Sequence, residues 1–217
     1  MTYVSWAALY EGPSDAAYLN ILIPRIMDEA ILNFGIRHSV IPEVPAFVLK
    51  RGDVDAVAKE ICENADAFYL VFIHADTGGR GLVRSLPERS TAYCAAAHVL
   101  CAFPTQRCIA VAPKHEIEAW LLCDAAAVCG ALGYRSNPAT IGLPVSAQEA
   151  ESLVDPKASL QAAMAKARGR RRLDPAASLY PAIAQRQSLA ALRAAPSFKS
   201  FEDSLLLGLA HLGCING

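Results

Sequence analysis

Apolar runs in the first half of the chain alternate with segments of helical spacing. Val4 to Tyr10 ends at a glycine-proline pair, Phe68 to Ile73 is unbroken, and Cys108 to Ala112 ends at a proline. Such runs predict buried strands, and their lack of polar alternation favours a parallel sheet covered on both faces. Ser39 to Leu49 contains two prolines, which predicts an irregular or edge strand.

The segments between these runs have the periodicity of helices that bury one face. Helices are predicted over about 14–34, with Ser14 as the N-cap residue, and over about 53–64, 87–102 and 114–132. Strands that alternate with helices predict an α/β fold: a doubly wound, mostly parallel sheet sandwiched by helices.

The character of the chain changes after about residue 133. Strand patterns stop, and short helices are predicted over about 147–153, 157–168, 178–186, 188–195 and 201–213. We therefore expect an α/β core over residues 1–132 and a C-terminal helical subdomain, residues 133–217, packed on that core.

Composition excludes several classes of protein. Hydrophobic residues make up 53% of the 217 residues and charged residues 19%, so a disordered chain is excluded. The net charge of −1 gives no overall attraction to nucleic acid, so a polyanion would need a local basic patch. No apolar stretch reaches the roughly 18 residues of a membrane span, and no signal-peptide pattern precedes the first strand.

Cysteine usage points to a reducing compartment. The chain has seven cysteines and no Cys-x-x-Cys pair. An odd count of this kind argues against a disulfide scaffold and against a zinc module. The cysteines are expected to be small buried residues in a cytoplasmic protein.

Acidic side chains follow three of the predicted strands at the point where each strand ends. Glu11 follows the first, His74 and Asp76 follow the second, and Glu116 and Glu118 follow the third. The carboxyl ends of neighbouring parallel strands meet at one edge of a sheet, where ligands bind. Carboxylates that converge there repel one another and usually share a cation, so the pattern predicts a Mg²⁺ or Mn²⁺ site.

Each of these residues also has a structural explanation. Glu11 and Asp76 each precede a glycine-bearing turn, whose backbone N–H groups a carboxylate can accept. His74 alone is compatible with a hydrogen-bonded structural role. If residues 114–132 form one helix, Glu116 and Glu118 differ by about 200° around its axis, so only one of them should face the site.

Basic residues close to these segments are candidates for contacts with phosphate. Arg80 and Lys114 lie near the second and third acidic segments. The only dense basic cluster follows the helix predicted over 157–168 and consists of Arg168, Arg170, Arg171 and Arg172. Its spacing suits contacts with a nucleic-acid backbone, although such clusters are also common in solvated loops. The chain has no P-loop, no Gly-x-Ser-x-Gly elbow and no His-Glu-x-x-His motif.

The three acidic segments resemble a known fold. Tyr10 to Asp15 is similar to the glutamate-glycine signature of the Toprim fold, which topoisomerases, primases and OLD-type nucleases share. His74-Ala75-Asp76 stands where that fold has an Asp-x-Asp pair. Glu118-Ala119-Trp120 resembles the Glu-x-Trp element of RloB-like proteins.

The order of the motifs resembles a bacterial family of unknown function with a Toprim-like core. Later elements extend the resemblance over nearly the whole chain: Asp155-Pro156-Lys157, Tyr180 with Ile183-Ala184, Ser197-Phe198 and Ser200-Phe201. The family is regarded as a group of metal-dependent nucleases, often encoded beside ATPases in phage-defence loci. The resemblance thus implies nucleic acid and an ATPase as partners; a homo-oligomer stays open.

The leading hypothesis is a metal-dependent nuclease in which Glu11, Asp76 and Glu118 are catalytic, with His74 and Glu116 as further ligands. One departure matters, because a histidine stands where the resemblance expects an acid, and histidine is a poor ligand for Mg²⁺. The site then uses fewer carboxylates, prefers Mn²⁺, or has lost catalysis. Two alternatives are a degenerate binding subunit of an ATPase complex and an enzyme acting on a small nucleotide.

Overall fold

The computed structural model describes residues 2–78, 90–168 and 176–216. Six short strands lie within these ranges: β1 (Thr2–Tyr3), β2 (Trp6–Leu9), β3 (Ser39–Val40), β4 (Phe47–Val48), β5 (Leu70–His74) and β6 (Cys108–Val111). The helices of the α/β part are α1 (Pro13–Phe34), α2 (Val54–Glu63), α3 (Thr91–Cys101), α4 (Ile117–Leu121) and α5 (Ala125–Leu132). Those of the C-terminal part are α6 (Ala147–Ser152), α7 (Pro156–Arg168), α8 (Tyr180–Arg186), α9 (Leu189–Arg193) and α10 (Pro196–His211).

The main sheet is parallel, as the apolar runs predict. Its strand order is β4-β2-β5-β6, and every neighbouring pair runs parallel. A separate parallel pair joins β1 to β3. Strand β4 pairs with one edge of β2, and β5, which comes later in the chain, pairs with the opposite edge of β2. The point between β2 and β5 where the order reverses is where doubly wound sheets bind ligands.

Helices cover both faces of this sheet, so both faces of each strand are buried. In β5, Leu70 and Phe72 belong to a hydrophobic cluster with α1 and the C-terminal helices. Val71 and Ile73 belong to a second cluster with α2 and α3. Side chains alternate between faces along a strand, which explains why the run contains no polar positions. The α/β fold with a helix-flanked parallel sheet is confirmed.

Two local predictions are wrong. The helix expected over 114–132 is two helices, and the break is stabilised where the Asp124 carboxylate accepts the Ala127 N–H at 3.0 Å. Ser14 does not cap α1, because that helix begins one residue earlier, after Gly12. Pro13 takes the first helical position, where its missing N–H costs nothing and its fixed φ suits the helix.

The C-terminal helices form where the sequence predicts them, within a few residues. Their apolar side chains enter the same cluster as α1 and the sheet, among them Leu160, Met164, Ile183 and Leu205. The division at residues 132 and 133 stays a prediction. Among the residues that the structure describes, no helix combines the length and hydrophobicity needed to cross a bilayer.

The cysteines are only partly as expected. Cys123, Cys129 and Cys214 are free and buried, as predicted. The prediction is wrong for four others, which form two disulfides, Cys62–Cys101 and Cys94–Cys108. Helix α3 packs against both α2 and β6 and so brings partners separated by 39 and 14 residues together. That packing is not visible in cysteine spacing alone.

Candidate functional site

A buried histidine between two carboxylates lies at the centre of the candidate site. His74 is the last residue of β5, and its side chain is only 1% exposed. Its Nδ1 lies 3.8 Å from Asp15 Oδ2, and its Nε2 lies 3.4 Å from Asp76 Oδ1. Neither ring nitrogen has a hydrogen-bond partner within the described residues. The imidazole is therefore positioned by the packing around it, with one carboxylate near each ring nitrogen.

Asp15 is a site residue that sequence reasoning missed as such. It lies in the first turn of α1, where an acid is favourable for the helix dipole alone, and this explanation conceals a second role. The sequence does contain one signal for this role: Asp15 lies four residues after Glu11, at the start of the helix that follows β2. Gly12 is the N-cap residue of this helix, and the Asp15 side chain is buried.

Glu116 and Glu118 both face the site, so the predicted division between them is wrong. Helix α4 begins at Ile117, and Glu116 is its N-cap residue with an extended backbone, φ −152° and ψ 170°. The helical rotation that was expected to separate the two side chains therefore does not apply. Lys157 connects them: its N–H donates to Glu116 Oε1 at 3.0 Å, and its Nζ lies 3.7 Å from Glu118 Oε1.

Glu118 is held from the C-terminal part of the chain. Its side chain is 4% exposed, and its Oε1 accepts a hydrogen bond from the hydroxyl of Tyr180. Burial, together with the neighbouring Glu118 carboxylate, raises the pKa of Tyr180. The phenol therefore remains a hydrogen-bond donor at neutral pH.

The acids of the three segments are close enough to affect one another. We call Asp15, Asp76, Glu116 and Glu118 the acidic cluster. Burial raises the pKa of Asp15, with further contributions from Asp76 and Glu118, while His74 opposes the shift. Burial also raises the pKa of Glu116, Glu118 adds to the shift, and Lys157 opposes it. The segments after β2, β5 and β6 thus share one electrostatic environment, to which the first segment contributes Asp15 and not the predicted Glu11.

A strained loop fixes two of these segments to each other. The N–H of His115 donates to Thr77 Oγ1 at 2.9 Å, and the carbonyl oxygen of His115 accepts the Gly78 N–H at 3.0 Å. His115 has a positive φ of 67°, a conformation that costs a non-glycine residue roughly 1–2 kcal/mol. These bonds hold the residues next to Asp76 beside those next to Glu116.

The C-terminal helices also anchor α4, the helix that carries Glu118. Ser197 accepts the Trp120 Nε1–H at 2.7 Å and donates its hydroxyl to Glu151. Gln187 donates to the Trp120 carbonyl oxygen at 2.6 Å and accepts the hydroxyl of Tyr18 at 2.6 Å. The Ser-Phe element at Ser197 is therefore a support for the site in this chain.

Glu11 lies beside the acidic cluster at a neighbouring cavity. This cavity of about 260 Å³, which we call the Arg51 cavity, opens at the carboxyl ends of β2 and β5. His74 lines it too, so the cavity and the acidic cluster share a wall. Its lining residues are Leu9, Tyr10, Glu11, Arg51, Gly52, His74, Ala75 and Tyr93.

The predicted basic contacts are mostly outside the described residues. That is true of Arg80, Arg170, Arg171 and Arg172, and of the side chain of Arg168. Lys114 lies three residues after the end of β6, and its backbone N–H donates to Ser197 Oγ at 3.3 Å. Lys157, which belongs to the Asp155-Pro156-Lys157 motif, contacts the acidic cluster through its ammonium group.

The donor atoms suit a hard divalent cation, because carboxylate oxygens are the ligands that Mg²⁺ prefers. Within residues 2–78, 90–168 and 176–216, however, no three His, Cys, Asp or Glu side chains already surround a single point as metal ligands. The carboxylates approach one another without forming a finished coordination shell.

Comparison with known proteins gives one result. No curated protein and no solved structure matches this chain. A family model, described as a domain of unknown function (DUF4276), matches residues 10–206. That range includes the acidic cluster, every lining residue of the Arg51 cavity except Leu9, and most of the C-terminal helices. The chain therefore belongs to the DUF4276 family.

Proposed function

We propose that this protein is a divalent-metal-dependent phosphodiesterase that acts on nucleic acid. The observation that supports this most is the meeting of four carboxylates from three separate segments at the switch point of a parallel sheet. Buried like charges are costly unless a cation compensates for them. The arrangement therefore favours a bound cation at the acidic cluster.

Asp15, Asp76 and Glu118 would hold the ion. A bound divalent ion supplies Lewis acidity towards a phosphoryl oxygen and activates water for in-line displacement. His74 lies between Asp15 and Asp76, so it would orient these carboxylates as an outer-shell partner of the site. This role does not require histidine to bind Mg²⁺, and it accounts for a histidine at the position where the Toprim pattern has an acid.

Lys157 would contact the phosphate of the substrate, and Glu11 would accept a proton from water. The Lys157 ammonium is about half exposed although it lies 3.7 Å from the buried Glu118 carboxylate. It can therefore face both the acidic cluster and a phosphate oxygen entering from solvent. Glu11 lines the cavity next to His74, where a carboxylate can accept a proton from water as a general base.

The finer assignment rests on the resemblance described above. We propose a Toprim-like site related to those of OLD-type nucleases and RloB-like proteins, with Mg²⁺ or Mn²⁺ as the cofactor. The same resemblance supports an ATPase partner, a role in phage defence and a cytoplasmic location. Two disulfides are unusual in a reducing cytoplasm, so a count of free thiols in protein alkylated inside cells would test the location.

The decisive experiment compares cleavage by variants that differ by one charge. Plasmid DNA and single-stranded RNA are incubated with purified protein in Mn²⁺ or Mg²⁺. Glu118→Gln and Asp76→Asn should each lower the rate of cleavage at least about 100-fold, because each removes a carboxylate charge that would hold the metal ion at the scissile phosphate. Glu63→Gln on the exposed face of α2 is the matched control and should cut at the rate of the unmodified protein. Equal cutting by Asp76→Asn would refute the site.

His74 favours a second candidate, a binding subunit that has lost catalysis. His74 stands where the Toprim pattern has an acidic metal ligand, and its ring lies between the carboxylates of Asp15 and Asp76. Under this alternative the protein would bind nucleic acid or nucleotide without cutting it. Titration calorimetry separates the two, because the nuclease requires Mn²⁺ binding that Glu118→Gln weakens and the degenerate subunit shows no heat of metal binding.

A further inference from the structure

The Arg51 cavity is the strongest feature that the proposed catalytic site does not use. We propose that it binds a backbone phosphate of a single nucleic-acid strand, next to the phosphate held at the acidic cluster. This inference deepens the proposed function and rests on it for the neighbouring phosphate. The substrate is then a nucleic-acid strand that extends beyond the scissile bond.

The walls of the cavity come from elements that meet only in the folded chain. Glu11 follows β2, Arg51 lies in the loop before α2, and Tyr93 lies in the first turn of α3. The N-terminus of α2 is already capped, because the Asp53 carboxylate accepts the Ala56 N–H at 2.9 Å. Among the lining residues that the structure describes, the side chain with a permanent positive charge is Arg51, which is exposed to solvent.

The polar groups of the cavity select a phosphodiester. A guanidinium offers a planar pair of donors that matches two phosphate oxygens, and the Tyr93 hydroxyl supplies one more donor. Glu11 lines the same space, so the described part of the cavity wall carries one acidic and one permanently basic side chain. A diester with a single negative charge fits this balance better than a doubly charged phosphate does.

The size of the cavity restricts what else it can hold. About 260 Å³ is just below the range of roughly 300–1,000 Å³ that is typical of pockets for drug-sized ligands. A phosphate with its sugar fits such a space, whereas a base would remain outside. Recognition here is thus expected to be independent of sequence, since contacts with phosphate carry no sequence information.

His74 couples the cavity to the acidic cluster. Its buried ring lines the cavity, and its nitrogens lie 3.8 Å from Asp15 and 3.4 Å from Asp76 without a hydrogen-bond partner among the described residues. A phosphate in the cavity is therefore separated from the acidic cluster by one imidazole. Neighbouring phosphates of one strand can occupy the two places together.

The test measures binding of a short fluorescein-labelled single-stranded DNA by anisotropy in Ca²⁺ at several salt concentrations, with gels of the same samples to exclude cutting. Arg51→Gln should weaken binding about 10-fold. It should also reduce the slope of log affinity against log salt by about 0.7, the value for one phosphate contact on a single strand. Arg51→Lys should restore the slope, and exposed Arg135 provides the matched control, Arg135→Gln.

The outcomes separate this inference from the catalytic proposal. If Arg51→Gln binds with the affinity and slope of the unmodified protein, or if Arg135→Gln loses as much, the cavity has no phosphate role, whatever the cleavage assay shows. Failure of the unmodified protein to bind the strand also overturns the inference. If Arg51→Gln loses binding while the unmodified protein never cuts in Mn²⁺, the catalytic proposal fails and the phosphate site remains.

Discussion

Removal of a single oxygen atom tests how the C-terminal helices control the acidic cluster. Tyr180→Phe deletes the hydroxyl that donates to Glu118 Oε1 and leaves the buried ring in place. Glu118 then keeps the ammonium group of Lys157, 3.7 Å away, as a favourable polar contact. A buried carboxylate without its donor is destabilised, so we expect a loss of stability together with a loss of function.

The size of the effect follows from the kind of bond. A hydrogen bond to a charged group contributes about 1.5–3 kcal/mol to folding. For a chain of this length each kcal/mol lowers Tm by about 2–4 °C. Tyr180→Phe should therefore lower Tm by roughly 3–12 °C and weaken metal-dependent cleavage about 10- to 100-fold, the usual effect of removing a partner of a metal ligand.

The assay is a double-mutant cycle with Glu118→Gln, read by thermal unfolding in a metal chelator. Tyr134→Phe is the control, because its hydroxyl pairs with Thr140 in an exposed, neutral contact whose loss should cost about 1 kcal/mol or less. If the Tyr180 and Glu118 substitutions have additive effects on Tm, the two groups are not coupled in the folded protein. Additivity would refute the reasoning even if each single variant were destabilised.

Three further predictions address the pH dependence, the support of α4 and the cysteines. Burial raises the pKa of Asp15 and Glu116 above 3.8 and 4.5, so the folded state holds their protons more tightly and their contribution to stability decreases as pH rises. In chelator, this contribution raises Tm as the pH falls towards 4.5 and 3.8, the ordinary pKa values of the two groups, and Asp15→Asn should lose its part of it; an Asp15→Asn variant whose Tm depends on pH as that of the unmodified protein does contradicts the shift. Gln187→Met removes the acceptor of the buried Tyr18 hydroxyl and the side-chain donor to the carbonyl oxygens of Trp120 and Leu121. It should cost roughly 3–5 kcal/mol, whereas the same change at exposed Gln161 should have little effect on urea unfolding. Denatured protein without reductant should show three thiols reactive with Ellman's reagent, and seven would exclude both disulfides.

Most of the fold is predictable because its strands bury both faces. The run around β5 has no polar position, and the structure gives each of its faces a separate cluster. Strand order was not predictable, since it depends on how α1 and α2 pack across the sheet. Nor was the break before α5, because the segment on both sides of Asp124 is apolar enough for one continuous helix and only the cap shows where it stops.

The site was predictable in outline and not in detail. Strand-end position correctly brought Asp76 and Glu118 into one region, because parallel strands share a carboxyl edge. It did not identify Asp15, because the helix dipole already explains an acidic residue in the first turn of a helix. It also did not identify Lys157, because that contact joins α7 to α4 across many residues of chain. Long-range contacts of this kind leave no local pattern in a sequence.

The anchoring of α4 by Ser197 and Gln187 has a consequence for how the protein matures. Trp120 obtains its hydrogen-bond partners from α10 and from the loop before α9, which are synthesised well after the sheet. While the chain emerges from the ribosome, Glu118 therefore lacks its final position until those late segments arrive. A nascent chain cannot fix the whole acidic cluster before these segments are synthesised, so any activity of the cluster begins only after that point.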